Sequence, residues 1–166
     1  KDATWASDTF WSISNWICLF SGVLCKMSED LLLLSSEGFR VIQCSDKHSR
    51  ISVIMPQKRN PYQVTICRGK FLEISSRANI FLSSISKSSG YPDSRHTFYK
   101  ELPNNISDLR KNIKMFGDVI SSIEINKNIS YKFATNKNIY ASDIVQELLI
   151  KYKISDREAH SILSKA

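Results

Sequence analysis

The chain has 166 residues, enough for one domain with a sizeable core, and 42% hydrophobic with 23% charged residues is ordinary globular composition. Its net charge of +7 comes from Lys and Arg scattered singly among Ser, Asn and Ile, with no dense basic run or base-stacking motif, so a solvated basic surface is expected and nucleic acid is not. Cys18, Cys25, Cys44 and Cys67 form no CxxC pair and have no zinc spacing with His48, His96 or His160; free buried thiols in a reducing compartment, and no metal site, follow.

The chain opens at Lys1-Asp2 with a helical pattern already running by Phe10, which reads as an internal fragment of a longer protein. No charge falls between Thr9 and Cys25, yet the run is short for a span of roughly 20 residues and carries Ser12, Ser14, Asn15 and Ser21, so a buried helix is expected rather than a membrane span. Apolar residues at Phe10, Ile13, Ile17, Phe20, Leu24, Met27, Leu31 and Leu34 step by three and four, a heptad stripe on one long helix. Trp16, Leu19 and Val23 add a second apolar face and predict burial on more than one side. Cys18 and Cys25 stand two turns apart on this helix, about 10 Å along its axis, too far for a disulfide.

Between Ser35 and Asn60 the periodicity stops, and Gly38, Ser45, Ser49 and Pro56 predict a long irregular connection of the kind that often serves as a lid or binding loop. A second stripe follows Pro61, a residue suited to a first helical turn, through Val64, Cys67, Phe71, Ile74, Ala78, Phe81 and Ile85. It ends before the breaker cluster at 87–92. A third stripe, Ile106, Leu109, Ile113, Phe116, Ile120 and Ile123, is expected to begin with Asn105 as N-cap. Residues 126–140 read as a loop; Ser142 is a candidate cap for a helix through Tyr152, and Ser155-Asp156-Arg157-Glu158 a capping box for the next. The expected fold is therefore all-α, with long near-antiparallel helices packed as part of a bundle. Residues 1–126 would form part of a central bundle domain carrying the loop 35–61, and 127–166 the start of a small C-terminal helical domain.

The stretch Ser52-Val53-Ile54-Met55-Pro56-Gln57-Lys58-Arg59-Asn60-Pro61 resembles the signature loop of the fumarase/aspartase superfamily, Gly-Ser-Ser-x-Met-Pro-x-Lys-x-Asn-Pro, in wording closest to argininosuccinate lyase. Ser28-Glu29-Asp30-Leu31 resembles the Ala-Glu-Asp-Leu of the preceding helix in those enzymes, and Arg68-Gly69-Lys70 and Arg157-Glu158-Ala159-His160 match their Arg-Gly-Lys and Arg-Glu-Ala-His. The resemblance implies β-elimination from a succinyl-linked substrate with release of fumarate, in arginine biosynthesis, without cofactor or metal. It also implies a cytoplasmic homotetramer whose subunits share active sites.

Counting back six residues from Lys58 and eight from Asn60, the resemblance assigns Ser52 as the catalytic base, with Lys58 and Asn60 holding the substrate carboxylate. The chemistry asks for such a set. A proton beside a carboxylate is weakly acidic, so the growing charge needs a fixed cation and an amide donor, and a serine base needs a site that stabilises its alkoxide. Ile51 stands where the family has glycine and Val53 where it has a second serine, which predicts a stiffer loop. Phe98 through Asn105 lacks the tyrosine hydroxyl and glutamine of the matching family stretch. These departures suggest two alternatives: an inactive structural homologue of the delta-crystallin kind, or a lyase of another substrate such as adenylosuccinate, whose Lys-Arg-Asn-Pro wording Lys58-Arg59 resembles. The family's other signature regions lie upstream of Lys1, so the fragment by itself is expected to be inactive.

Overall fold

The computed structural model describes residues 8–55, 58–83 and 96–164. The fold is all-α with a few two-residue strands. Two compact units divide the chain, Lys1–Ile125 and Asn126–Ala166.

In the first unit, α1 (Asp8–Ser35), α2 (Tyr62–Ser83) and α3 (His96–Ser121) are the long helices. Contacts between Cys18 and Ser75 and between Glu29 and Arg68 run α1 against α2 in opposite directions. Asn105 with Ile74 and Asn112 with Cys67 do the same for α2 and α3. The stripe on α2 packs as its spacing predicts: Val64, Cys67, Phe71, Ile74 and Ala78 are all buried. Ile85 and the breaker cluster at 87–92 lie outside the described residues, as do the surroundings of Phe81.

The stripes on α1 and α3 hold in part: Ile17, Leu24, Leu109 and Phe116 are buried and Phe10, Phe20, Leu31 and Ile123 pack against the core, while at other positions the adjacent residue takes the seam. On α1 the buried residues are Ser14, Ile17, Ser21, Leu24 and Ser28, so Ile17 and Leu24 keep their place while Ile13 and Met27 turn outward. Small serine side chains at this seam let the backbones of α1 and α2 approach, and Ser28 returns its hydroxyl to the Leu24 carbonyl at 2.8 Å. On α3 Leu102, Asn105, Leu109, Asn112, Phe116 and Val119 are buried, whereas Ile106, Ile113 and Ile120 are exposed. At both asparagines Nδ2 donates to a carbonyl of α2, Asn105 to Ile74 at 3.2 Å and Asn112 to Cys67 at 3.0 Å, which offsets part of the cost of burying them, while each Oδ1 is buried without a partner among the described residues. The second apolar face on α1 is likewise not buried among the described residues, and Trp16, Leu19 and Val23 are 57%, 66% and 57% exposed.

Asn105 is thus no N-cap: α3 starts at His96 and carries Pro103 inside it, on the exposed face. Proline removes one intrahelical bond, and the apolar seam on either side holds the helix through it. No helix among the described residues is long and apolar enough to cross a membrane.

The connection between α1 and α2 is less irregular than its composition suggests. Arg40, at φ 49°, turns the chain out of α1, and its N–H donates to the Ser36 carbonyl. β1 (Ile42–Gln43) then pairs antiparallel with β4 (Glu124–Ile125), tying the connection to the end of α3. A 3₁₀ turn, Asp46–His48, follows with His48 buried. β2 (Arg50–Ile51) and β3 (Arg59–Asn60) close a small hairpin that delivers the chain to Pro61 and α2.

In the second unit, the stretch read as a loop holds α4 (Lys127–Ala134) and a 3₁₀ turn, Lys137–Tyr140. Asn126 makes this helix despite its weak composition, its side chain accepting from the Ile129 N–H at 3.2 Å. Then come α5 (Ala141–Tyr152) and α6 (Asp156–Leu163), with Val145 and Ala159 buried. Ser142 lies inside the first turn of α5 rather than capping it, because the helix begins at Ala141, after Tyr140, two residues earlier than a cap at Ser142 requires. Ser155 caps α6 as expected, accepting from the Glu158 N–H at 3.3 Å.

Candidate active site

The candidate residues sit on the hairpin β2–β3. Its register pairs Arg50 with Asn60 and Ile51 with Arg59. A further bond, from the Ser52 N–H to the Lys58 carbonyl at 3.1 Å, extends that register and sets Ser52 opposite Lys58. Side chains alternate across a strand, so Ser52, Lys58, Asn60 and Arg50 share one face and Ile51 and Arg59 the other. The hairpin therefore gathers all three sequence-predicted residues.

Beyond its neck the loop turns on itself. The Met55 N–H donates to Ser52 Oγ at 3.2 Å, and the Lys58 N–H to the Met55 carbonyl at 2.9 Å. Pro56 and Gln57 lie outside the described residues. Ser52 and Lys58 are half-buried and Asn60 is exposed, while Val53 and Ile54 project almost fully into solvent, at 96% and 90%. The Lys58 ammonium has no carboxylate partner among the described residues. Chemically, the face offers a hydroxyl already accepting one backbone donor, a free cation and an amide.

The departure at Ile51 has a local explanation. Ile51 adopts extended backbone in the ladder, and the described non-glycine residues with positive φ are Arg40 and Lys153. A β-branched side chain suits such a strand, so this arrangement does not require glycine. Arg59, on the opposite face, is ion-paired with Asp46 of the 3₁₀ turn, which fastens the hairpin to its base.

Arg50 was absent from the sequence-derived set. Its guanidinium lies 5.4 Å from the centroid of the Tyr62 ring, on the face that carries Ser52 and Lys58. The signal that would have found it is the period-2 relation of Arg50 to Ser52, which means nothing until this stretch is known to be a strand. His160, in the second unit, is exposed and lies 3.8 Å from Asp156 on α6. Among the described residues no group of three or more His, Cys, Asp or Glu is placed to hold a metal ion.

Comparison with known proteins gives consistent results. The family model for lyases matches residues 1–75. The chain is 30% identical over 145 residues to an argininosuccinate lyase from Alcanivorax borkumensis, covering 86% of this chain and 31% of that protein. It is 31% identical over 148 residues to an argininosuccinate lyase from Candida albicans, covering 89% and 31%. The chain thus spans about a third of the length of these curated relatives. Among solved structures, the fumarate lyase:delta crystallin from Brucella melitensis superposes with a TM-score of 0.80 at 18% identity, over 99% of this chain and 37% of that one, a likeness of fold.

Proposed function

Because this chain belongs to the fumarase/aspartase superfamily of lyases, we propose that it carries the base-bearing loop of an argininosuccinate lyase-type enzyme. The reaction is β-elimination from a succinyl-linked substrate with release of fumarate. Ser52 Oγ, as alkoxide, takes the proton from the carbon beside a carboxylate. The electron pair moves onto that carboxylate, where the Lys58 ammonium and the Asn60 amide hold the added charge. Its return forms the carbon–carbon double bond and expels the nitrogen, which takes up a proton as it leaves. The Met55 N–H on Ser52 Oγ supplies one of the donors an alkoxide needs.

The observation that supports this reading most is the hairpin register, which sets Ser52 opposite Lys58 with Asn60 on the same face. The rest of the site is proposed to come from other parts of a homotetramer. Trp16, Leu19 and Val23 on α1, and Tyr99, Ile106, Ile113 and Ile120 at seven-residue spacing on α3, leave apolar faces that suit helix packing between subunits. The free thiols fit a reducing, cytoplasmic setting.

Fumarate release by the assembled full-length protein, followed by ultraviolet absorbance, tests the reading. Ser52→Ala is expected to lower turnover by about 10²- to 10⁴-fold, the worth of a positioned base. Full activity in that variant overturns the assignment.

A second reading is a bundle protein of the delta-crystallin kind that has given up turnover. Ile51 and Val53, in place of the glycine and serine of the motif, favour it. It predicts no fumarate from the natural protein. An adenylosuccinate-type substrate is less favoured, since Arg59 faces away from the candidate residues and is held by Asp46.

A further inference from the structure

The hairpin presents two arginines, and the fold treats them differently. Arg59 is consumed by Asp46 on the opposite face from Ser52. Arg50, on the face of Ser52, Lys58 and Asn60, has no carboxylate partner among the described residues and rests against the Tyr62 ring at 5.4 Å. Tyr62 is the first residue of α2, directly after Pro61, so the ring that supports Arg50 is fixed to a long helix. A guanidinium stacked on an aromatic face keeps its edge N–H groups free for a planar anion.

Spacing agrees with a second anion site. Same-face neighbours two apart on a strand are about 6.5 Å apart, and directly opposed residues about 5 Å. Arg50 and Lys58 are diagonal across the ladder, on either side of the Ser52–Asn60 diagonal, so two cations flank the hydroxyl. A succinyl group carries two carboxylates, one at each end of a four-carbon chain, and a single ammonium cannot neutralise both.

We propose that Arg50 is a further substrate-binding residue that takes the second carboxylate of the succinyl group while Lys58 and Asn60 hold the first. This rests on the reading that the Ser52 hairpin performs the elimination. Arg50 would fix which carbon faces Ser52 Oγ, because anchoring both ends of the diacid leaves one orientation on the hairpin. A substrate with a single carboxylate would lose that alignment.

The test uses the assembled full-length protein, with succinate as the two-carboxylate probe and butanoate as its one-carboxylate counterpart, both titrated by calorimetry. Arg50→Gln is expected to weaken succinate by roughly 10- to 100-fold, the range of a charged hydrogen bond, and to leave butanoate within about 2-fold. Arg50→Lys should recover part of the succinate affinity, since it keeps the charge and loses the fork. Unchanged succinate affinity in Arg50→Gln overturns the proposal, and so does an equal loss for both probes, which would mark a merely structural role. Fumarate release by Ser52→Ala is measured in parallel. An inactive Ser52→Ala beside an Arg50→Gln with normal succinate affinity sinks the Arg50 site alone, whereas a fully active Ser52→Ala sinks the hairpin reading and this proposal with it.

Discussion

Arg68 Nη1 of α2 donates to Glu29 Oε1 of α1 at 2.6 Å, joining the two helices that enter and leave the candidate hairpin. Glu29 and Arg68 come from two separate stretches, Ser28-Glu29-Asp30-Leu31 and Arg68-Gly69-Lys70, whose wording carries the family resemblance. Both side chains are partly solvated, Arg68 at 35% and Glu29 at 53%, so the pair is expected to matter for geometry more than for stability. Glu29→Gln should cost less than about 1 kcal/mol in urea unfolding, with a smaller effect still at high salt. A loss above about 2 kcal/mol would show that the pair is more shielded than its exposure indicates.

The core sets the contrasting scale. Phe71 is fully buried and meets Phe116 edge-on, with ring centroids 5.5 Å apart and an interplanar angle of 87°. Phe71→Ala removes the largest fully buried side chain among the described residues and leaves a cavity between α2 and α3. The expected cost is about 3 to 5 kcal/mol, read from the shift in the urea midpoint at constant slope. Phe71→Leu should restore more than half of the loss, because it refills most of the volume.

How the seams are built explains what the sequence could and could not disclose. On α2 every buried seam residue is apolar or cysteine, and the stripe is legible at once. On α1 and α3 part of each stripe points one position away from the seam, because Ser14, Ser21, Ser28, Asn105 and Asn112 are buried while Ile13, Ile106 and Ile113 face outward, although Ile17, Leu24, Leu109 and Phe116 are buried as expected. Periodicity reports which faces are apolar, and these helices have two, only one of which packs within this chain. Single-chain patterning cannot tell them apart. The α4 helix was missed for another reason: Asn and Lys signal a loop by composition, whereas the cap at Asn126 is a matter of one hydrogen bond. At the candidate site the motif located Ser52, Lys58 and Asn60, but Arg50 became visible only through strand register.

The Cys67 thiol gives a pH-dependent prediction. Burial penalises the thiolate and pushes Cys67 up to about 11, with its backbone hydrogen bond pulling weakly the other way, and burial raises Cys44 too. In the unfolded chain such thiols ionise near pH 8.5 to 9. Between about pH 9 and about pH 11 the unfolded state has therefore lost protons that the folded state keeps, so this contribution is fully present below that window and declines as pH rises through it. The urea midpoint should fall over this range, and Cys67→Ala should flatten the fall while lowering the midpoint at neutral pH. Native-state thiol labelling at pH 8 should reach the half-buried Cys18 and Cys25 well before Cys44 and Cys67.

Ile51 is expected to stiffen the hairpin. It sits in the ladder opposite Arg59, and the adjacent Ser52 N–H is held by the Lys58 carbonyl at 3.1 Å. Replacing Ile51 by glycine widens the backbone's freedom and removes a β-branched side chain that favours the strand, which costs about 1 kcal/mol locally in the closed ladder. An opening equilibrium made easier by that amount should speed amide exchange at Ser52 by roughly 5-fold, with no change at Phe71 in the core. If loop stiffness limits catalysis, Ile51→Gly should also raise fumarate release, and Ile51→Gly with Val53→Ser should raise it further. Faster exchange with unchanged turnover would mean that hairpin opening is not the limiting step. Unchanged exchange at Ser52 would mean that the Arg59–Asp46 pair and the β1–β4 ladder, rather than Ile51, hold the hairpin in place.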